Sequence, residues 1–252
     1  MKTQIENYKK EHGFGAFSPK AVLFDMDGVL YDSMPLHAVA WTESMAKYGI
    51  SMTRADAYAT EGARGIDTIR RFVKAQKGID ITLDEAQAIY DEKTRIFHSL
   101  GEAKIFDGVI PLMQKIAKAG WSVNVVTGSG QRPLIERLLD DFSEYLDESH
   151  ITTAYDVKRG KPAPDPYLSG LRRAGNLNPW EAIVVENAPL GIASGVAAQI
   201  FTVAINSGPL PDSDLLAAHP NLLYHTMTEF GDDWSHLMDS IAACNEEDSR
   251  QG

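Results

Sequence analysis

The residues best equipped for chemistry stand in Ala21–Ser33, which reads AVLFDMDGVLYDS. A short apolar run ends in two aspartates two positions apart, and a glycine follows. Asp25 and Asp27 thus fall at the carboxyl end of an expected strand, where open α/β sheets put their ligands. One carboxylate can attack an electrophile or bind a metal. The second can reach the same reacting group as an acid or base once the chain bends, and Gly28 permits that bend because it has no side chain to clash. The pairing points to phosphoryl transfer through an aspartyl-phosphate, a known use of carboxylate nucleophiles. Taken alone, two aspartates also suit a solvated turn.

Two further apolar runs end in polar residues, and a loop adds a lysine. Thr127-Gly128-Ser129-Gly130 follows Val123–Val126, Glu186 and Asn187 follow Ala182–Val185, and Lys161 lies in the loop KRGKPAPDP. If these strands are parallel neighbours, all the sets meet at one sheet edge. A phosphate is held by donors, here the Thr127 hydroxyl, backbone N–H groups near Gly128 and a lysine cation. Mg²⁺ prefers oxygen ligands and bridges carboxylate to phosphate. A carboxylate nucleophile and a dianionic phosphate repel, so the attack requires neutralising charge.

The elements that would position these groups follow from apolar spacing. Met1–Lys20 is polar, ends in Ser18-Pro19 and reads as a lead-in arm. Ala21–Phe24 fits a buried strand. Pro35 opens a helix through about Tyr48, with Trp41 and Met45 on one face, as core or as substrate wall. Thr53–Leu100 holds no parallel-strand run and reads as helices around Asp67–Lys77 and Leu83–Ser99, a helical insert after the first strand. From Phe106 onward, helices at Val109–Ala119, Leu134–Leu139, Pro164–Ala174 and Leu190–Ala198 alternate with strands at Trp121–Val126, Ile151–Thr153, Ala182–Val185, Ile200–Ile205 and Leu222–Tyr224. Such alternation implies right-handed βαβ units and a parallel sheet. Glu246–Gly252 reads as a disordered polar tail.

Composition narrows the function. A formal net charge of -11 over 252 residues argues against a nucleic-acid partner, which needs a cationic surface. No apolar run approaches the roughly 20 residues of a membrane span. Cys244 is the single cysteine, so there is no internal disulfide and no cysteine metal cluster. The polar N-terminal stretch has no apolar export-signal core, and a cytoplasmic location is expected.

The motifs together resemble the haloacid dehalogenase superfamily, in its phosphatase and β-phosphoglucomutase-like branch. DMDGVLYDS, VVTGS, Lys161 in GKPAPDPYL, and VVENAPLGIASGVAA match its four motifs in order, over roughly Ala21 to Ile205. The resemblance implies a doubly wound parallel α/β sheet, a HAD-like Rossmannoid core over residues 1–31 and 107–252, with a helical cap over residues 32–106. It implies Asp25 as nucleophile, Asp27 as general acid/base that also offers Mg²⁺ its carbonyl, Thr127 and Lys161 holding the phosphoryl group, and Asp25, Asp27, Glu186 and Asn187 holding Mg²⁺. The expected partner is a small phosphorylated metabolite, and the chain a monomer or small homo-oligomer.

Further candidates come from the β-phosphoglucomutase-like group. His37, ten residues after Asp27, matches a cap histidine that hydrogen-bonds the acid/base, and Trp41 follows at matching spacing. Gly62-Ala63-Arg64-Gly65 resembles the cap loop that reads the substrate, which makes Arg64 a candidate for a distal phosphate. Gly128, Ser129 and Gln131 are candidate substrate contacts, and Ser33 could tune the acid/base. Two departures stand out. The fourth motif reads Glu186-Asn187 where the branch usually has Glu-Asp, so weaker Mg²⁺ binding is expected. The mutase's basic residue before the loop glycine is Glu61 here, and the arginine register is off by one. A phosphatase on a sugar phosphate or similar metabolite is the expectation. β-Phosphoglucomutase and a catalytically weakened phosphometabolite-binding protein are the alternatives.

Overall fold

The computed structural model describes the backbone of residues 1–251 and the side chains of residues 1–246. Its frame is a six-stranded, all-parallel sheet of β1 (Ala21–Phe24), β2 (Ser122–Val126), β3 (Ile151–Thr152), β4 (Ala182–Glu186), β5 (Phe201–Ile205) and β6 (Leu222–Tyr224). Spatial order is β3-β2-β1-β4-β5-β6. The order reverses between β1 and β4, and doubly wound sheets bind ligands outside the strand ends at such a point. Register carries Phe24 opposite both Val125 and Val185, so β1, β2 and β4 end at one level.

Among the described residues eleven α-helices accompany the sheet: α1 (Lys2–His12), α2 (Met34–Lys47), α3 (Arg54–Ala59), α4 (Gly65–Lys77), α5 (Leu83–Ser99), α6 (Val109–Lys118), α7 (Arg132–Asp141), α8 (Asp165–Arg173), α9 (Pro189–Ala197), α10 (Asp212–Leu216) and α11 (Met227–Gln251). Side chains alternate across a strand, so β1 serves two cores. Val22 and Phe24 pack with residues of α1, α6 and α11, whereas Ala21 and Leu23 pack against Tyr167 and Leu171 of α8. Strands buried on both faces read as continuous apolar runs, which is why they were legible.

Helices α2 to α5 enclose a cluster of their own, built on Ala38, Met45, Ile69, Val73, Ala86 and Ile89. Met45 is core, and Trp41 packs at the cluster's margin. Two strands of chain join this layer to the sheet. Asp32 donates its N–H to the Lys104 carbonyl at 2.8 Å, and Phe106 donates to Leu30 at 3.0 Å.

Three expectations need correcting. The N-terminal arm is helix α1, whose Ile5 and Tyr8, three residues apart, bury one face while the Tyr8 hydroxyl donates to the Gln199 carbonyl. Thr53 and Asp56 form a reciprocal capping box that starts the short α3, a helix not placed within the expected helical insert. The polar tail from Glu246 is instead the end of α11 as far as Gln251, and its side chains from residue 247 lie outside the described residues. Among the described residues no helix is long and apolar enough to cross a membrane.

Candidate active site

Asp25 follows β1 directly, and its amide donates to the Val185 carbonyl of β4 at 2.9 Å, which fixes it at the switch point. Asp25 is buried at 3% exposure. Lys161 reaches in from the loop before α8 and places Nζ 2.5 Å from Asp25 Oδ1, 2.6 Å from Glu186 Oε1 and 3.0 Å from the Val126 carbonyl. Three acceptors meet the ammonium's three donors. Burial works against that cation, but Asp25 and Glu186 overcome it and hold Lys161 above the ordinary lysine range. Burial also pushes Asp25 up to about 7, against the pull of Lys161 and with the help of Glu186 and Asp27.

Asp27 lives in different surroundings. Its Oδ1 accepts from the Ser33 hydroxyl at 2.6 Å and lies 3.0 Å from His37 Nε2. Burial raises its pKa, yet His37, Ser33 and the Lys93 cation outweigh that and bring Asp27 down to about 2. Two carboxylates two residues apart are thereby driven in opposite directions by their surroundings. Gly28 turns the chain here with φ +80°, and a Cβ on it would stand 2.7 Å from the Asn187 amide carbon.

His37 belongs to a chain of buried groups that includes one residue the sequence reading missed. Lys93 Nζ lies 2.7 Å from His37 Nδ1. An ammonium only donates, so His37 accepts at Nδ1 and carries its proton at Nε2, aimed at Asp27. The His37 ring stacks on Phe97, and Lys93 sits over the rings of Trp41, Tyr90 and Phe97. Burial and Lys93 both lower the pKa of His37. Ala86, Ile89, Lys93, Ile96 and Phe97 are the buried positions of α5. A lysine in register with that apolar stripe was the available signal.

Asp25, Asp27, His37, Trp41, Thr127, Gly128 and Ser129 line one cavity of about 60 Å³, together with Glu61, Tyr90, Lys93 and Gln131. Thr127 Oγ1 accepts from the Ser129 amide at 3.0 Å. Gln131 Nε2 donates to the Tyr90 hydroxyl at 3.3 Å, joining the sheet side to α5.

One candidate stands differently from expectation. Arg64 does not face this cavity. It precedes α4, where its Nε pairs with Asp67 at 2.7 Å and its Nη1 donates to the Lys158 carbonyl at 2.8 Å, which hold the side chain away from the cavity. Glu186 turns to Lys161, to the Tyr167 hydroxyl at 2.6 Å and to the Asn187 amide at 3.1 Å.

The oxygen inventory fits a hard cation. Asn187 Oδ1 and Glu61 Oε1 are buried without a hydrogen-bond partner, while Asn187 Nδ2 donates to Glu61 Oε2 at 3.0 Å. Burial, then Asp25, Asp27 and Glu186, hold Glu61 well above the usual carboxylate range. Such a set of acidic oxygens calls for positive charge. Among the described residues no three His, Cys, Asp or Glu side chains form a ready-made cage. Mg²⁺ suits this arrangement because it is commonly held by one or two carboxylates, waters and substrate phosphate.

Comparison with known proteins agrees with this geometry. Residues 22–205 match the family model of the haloacid dehalogenase-like hydrolases. Hexitol phosphatase A of Escherichia coli (strain K12) is 34% identical over 75% of this chain and 83% of its own length. β-Phosphoglucomutase of Bacillus subtilis (strain 168) is 25% identical over 78% and 88%. A solved structure from Bacteroides vulgatus, described as a candidate β-phosphoglucomutase, is 44% identical, covers 95% of this chain and 97% of its own, and superposes with a TM-score of 0.91. The chain belongs to the haloacid dehalogenase-like hydrolases and is an enzyme.

Proposed function

We propose that this protein is a Mg²⁺-dependent phosphatase of small phosphorylated metabolites that works through a phospho-aspartate, with residues 32–106 as its cap. The observation that carries the reading is the pair of carboxylates at the β1 end: Asp25 held by Lys161, and Asp27 held by Ser33 and His37 in the same cavity. Asp25 attacks phosphorus, the bond to the leaving oxygen breaks, and Asp27 delivers a proton to that oxygen. A dianionic substrate raises the proton affinity of Asp27 from its low resting value. Water then attacks the phospho-aspartate, Asp27 takes its proton, and phosphate leaves with Asp25 restored. Thr127, Gly128 and Ser129 donate to the phosphoryl oxygens. Asp25, Asp27 and Asn187 would hold the metal, with Glu61 beside them and Glu186 behind. Bound Mg²⁺ supplies the neutralising charge that lets a carboxylate approach a phosphate.

The cavity limits the leaving group. About 60 Å³ admits a phosphoryl group and a few water-sized atoms, since one water needs about 10–15 Å³. A compact leaving group fits the closed form, and a hexose requires the cap to shift. The relatives named for hexitol and fructose-1-phosphate substrates support a small polyol or sugar phosphate. A cytoplasmic location accords with the single, buried cysteine.

The His37–Asp27 contact favours a second reading, β-phosphoglucomutase, in which a sugar hydroxyl replaces water. Arg64 facing away from the cavity argues against it. One assay separates the two. Purified protein with Mg²⁺ is given an aryl phosphate and a panel of sugar phosphates, and β-glucose 1-phosphate primed with the 1,6-bisphosphate. Phosphate release without isomerisation, lost on chelation and in Asp25→Asn, is expected. Isomerisation much faster than release makes it a mutase, and full activity in Asp25→Asn overturns the covalent mechanism.

A further inference from the structure

Behind the loop Glu61–Gly65 lies a second cleft of about 390 Å³, between α4 and the loop that carries Lys161. Ala63 lines both this cleft and the catalytic cavity, so the loop is the wall between them. Arg64, Arg71, Arg159 and Lys161 line the cleft with one carboxylate, Asp67, in a chain of net charge -11. Arg64 and Arg71 reach it from the α4 side and Arg159 from the sheet side. Arg64, Thr68 and Arg71 are spaced by four and three, which puts them on one helix face.

These guanidinium groups are not used up by the protein. Each carries five N–H donors. Arg64 commits one to Asp67 and one to the Lys158 carbonyl. Arg159 commits two to Asp165, at 3.1 and 2.8 Å. Arg71 has no hydrogen bond or ion pair among the described residues, and its guanidinium carbon lies 5.5 Å from the Phe72 ring centroid. Gly160 is the point where the two sides close, since a Cβ there would stand 2.7 Å from Arg64 Cγ.

We infer that this cleft is an anion site for inorganic phosphate, separate from the catalytic cavity, and that its occupant clamps the cap to the sheet. Arginine forks match tetrahedral oxyanions in two-point contacts; on opposite sides of the seam, Arg71 is uncommitted and Arg159 keeps the donors that Asp165 does not take. An anion bridging them ties α4 to the Lys161 loop. The closed form is then favoured in proportion to the anion's preference for it. Because the clamp holds product as well as substrate, phosphate inhibits both by competing in the cavity and by slowing release.

The test reads binding apart from turnover. Titration calorimetry with inorganic phosphate and Mg²⁺ is run on the wild type and on the Arg71→Ala/Arg159→Ala variant, with Arg64 intact. Two phosphates per wild-type chain and one per variant chain are expected. Product inhibition should change from mixed to purely competitive, with kcat at zero phosphate within about twofold. A single site in the wild type, or unchanged stoichiometry and mixed inhibition in the variant, overturns the inference. Either result stands whichever phosphate ester proves to be the substrate.

Discussion

Asn187 Nδ2 donates to Glu61 Oε2 at 3.0 Å, so the residue that replaces the family's usual acid after β4 is bonded to an acid from the segment between α3 and α4. Exchange of Asn187 for aspartate would set two buried carboxylates face to face. Without metal, the loss of a bond to a carboxyl acceptor and the new repulsion should cost about 1–3 kcal/mol. A chain of this size then melts several degrees lower. Mg²⁺ binds the variant's folded form through one more negative charge, so the melting temperature should rise more on adding Mg²⁺ than it does in the wild type. Equal Mg²⁺-induced shifts in Asn187→Asp and wild type would show that the Asn187–Glu61 pair carries no such weight. Differential scanning calorimetry with and without chelator reads both quantities.

Gly128 and Gly62 meet backbone to backbone across the seam. A Cβ on Gly128 would stand 2.7 Å from the Gly62 carbonyl oxygen, closer than real Cβ contacts come. The methyl of Gly128→Ala therefore pushes the 61–65 loop off the cavity without touching either core. A displacement near 1 Å from productive geometry costs on the order of a hundredfold in rate. The expected result is a fall of about ten- to a hundredfold in kcat/KM with a melting temperature close to wild type. A large loss of stability with unchanged kinetics would place the strain in the fold instead.

How far the sequence carried this picture follows from what each residue's role depends on. Asp25, Asp27, Thr127 and Asn187 were legible because each follows the end of a buried strand, and strand ends are set by local apolar runs. Their meeting required only that the strands be parallel neighbours, which the alternation with helices implies. Arg64 was misplaced because the pattern gives its position near α4 but not the direction of its side chain, which Asp67 and the Lys158 carbonyl decide. Glu61 was noticed only as a departure. Its partnership with Asn187 spans 126 residues of sequence and depends on how the helical layer settles on the sheet. Helix α1 was overlooked because only Ile5, Tyr8 and Lys9 are buried in an otherwise polar segment.

Lys161 lies between two buried carboxylates, so its removal is expected to matter for folding as well as for catalysis. Deleting one partner of a buried ionic group leaves uncompensated charge and costs about 3–5 kcal/mol. Lys161→Met should lose that much stability in urea unfolding at neutral pH, along with activity. Adding Glu186→Gln removes one of the two stranded charges and should return part of the stability but no activity. If the double variant is less stable than the single one, Glu186 is held by Tyr167 and the Asn187 amide independently of Lys161.

Lys93 ties stability to alkaline pH with a sign that can be worked out. Burial lowers its pKa from 10.5 to about 8, with Asp27 pulling the other way. Below pH 8 the lysine is protonated in both folded and unfolded chains, and the folded chain bears the whole cost of burying the charge. Between pH 8 and 10.5 the unfolded chain binds more protons than the folded one, so stability attributable to this group rises with pH. Above 10.5 both forms are neutral and the effect is complete, on the order of 3 kcal/mol for a shift of this size. Methionine in place of Lys93 has no proton to lose. The unfolding free energy of wild type minus that of Lys93→Met should therefore climb across pH 8 to 10.5 and be level on either side. Activity should respond through His37, whose Nδ1 loses its donor in the variant, so that the ring no longer keeps its proton at Nε2 toward Asp27. A fall of about tenfold or more in kcat, with KM little changed, is the expected kinetic signature of that lost orientation. A flat stability difference over the same pH range would mean that Lys93 keeps an ordinary pKa, and unchanged kcat would mean that His37 is oriented by Phe97 stacking alone.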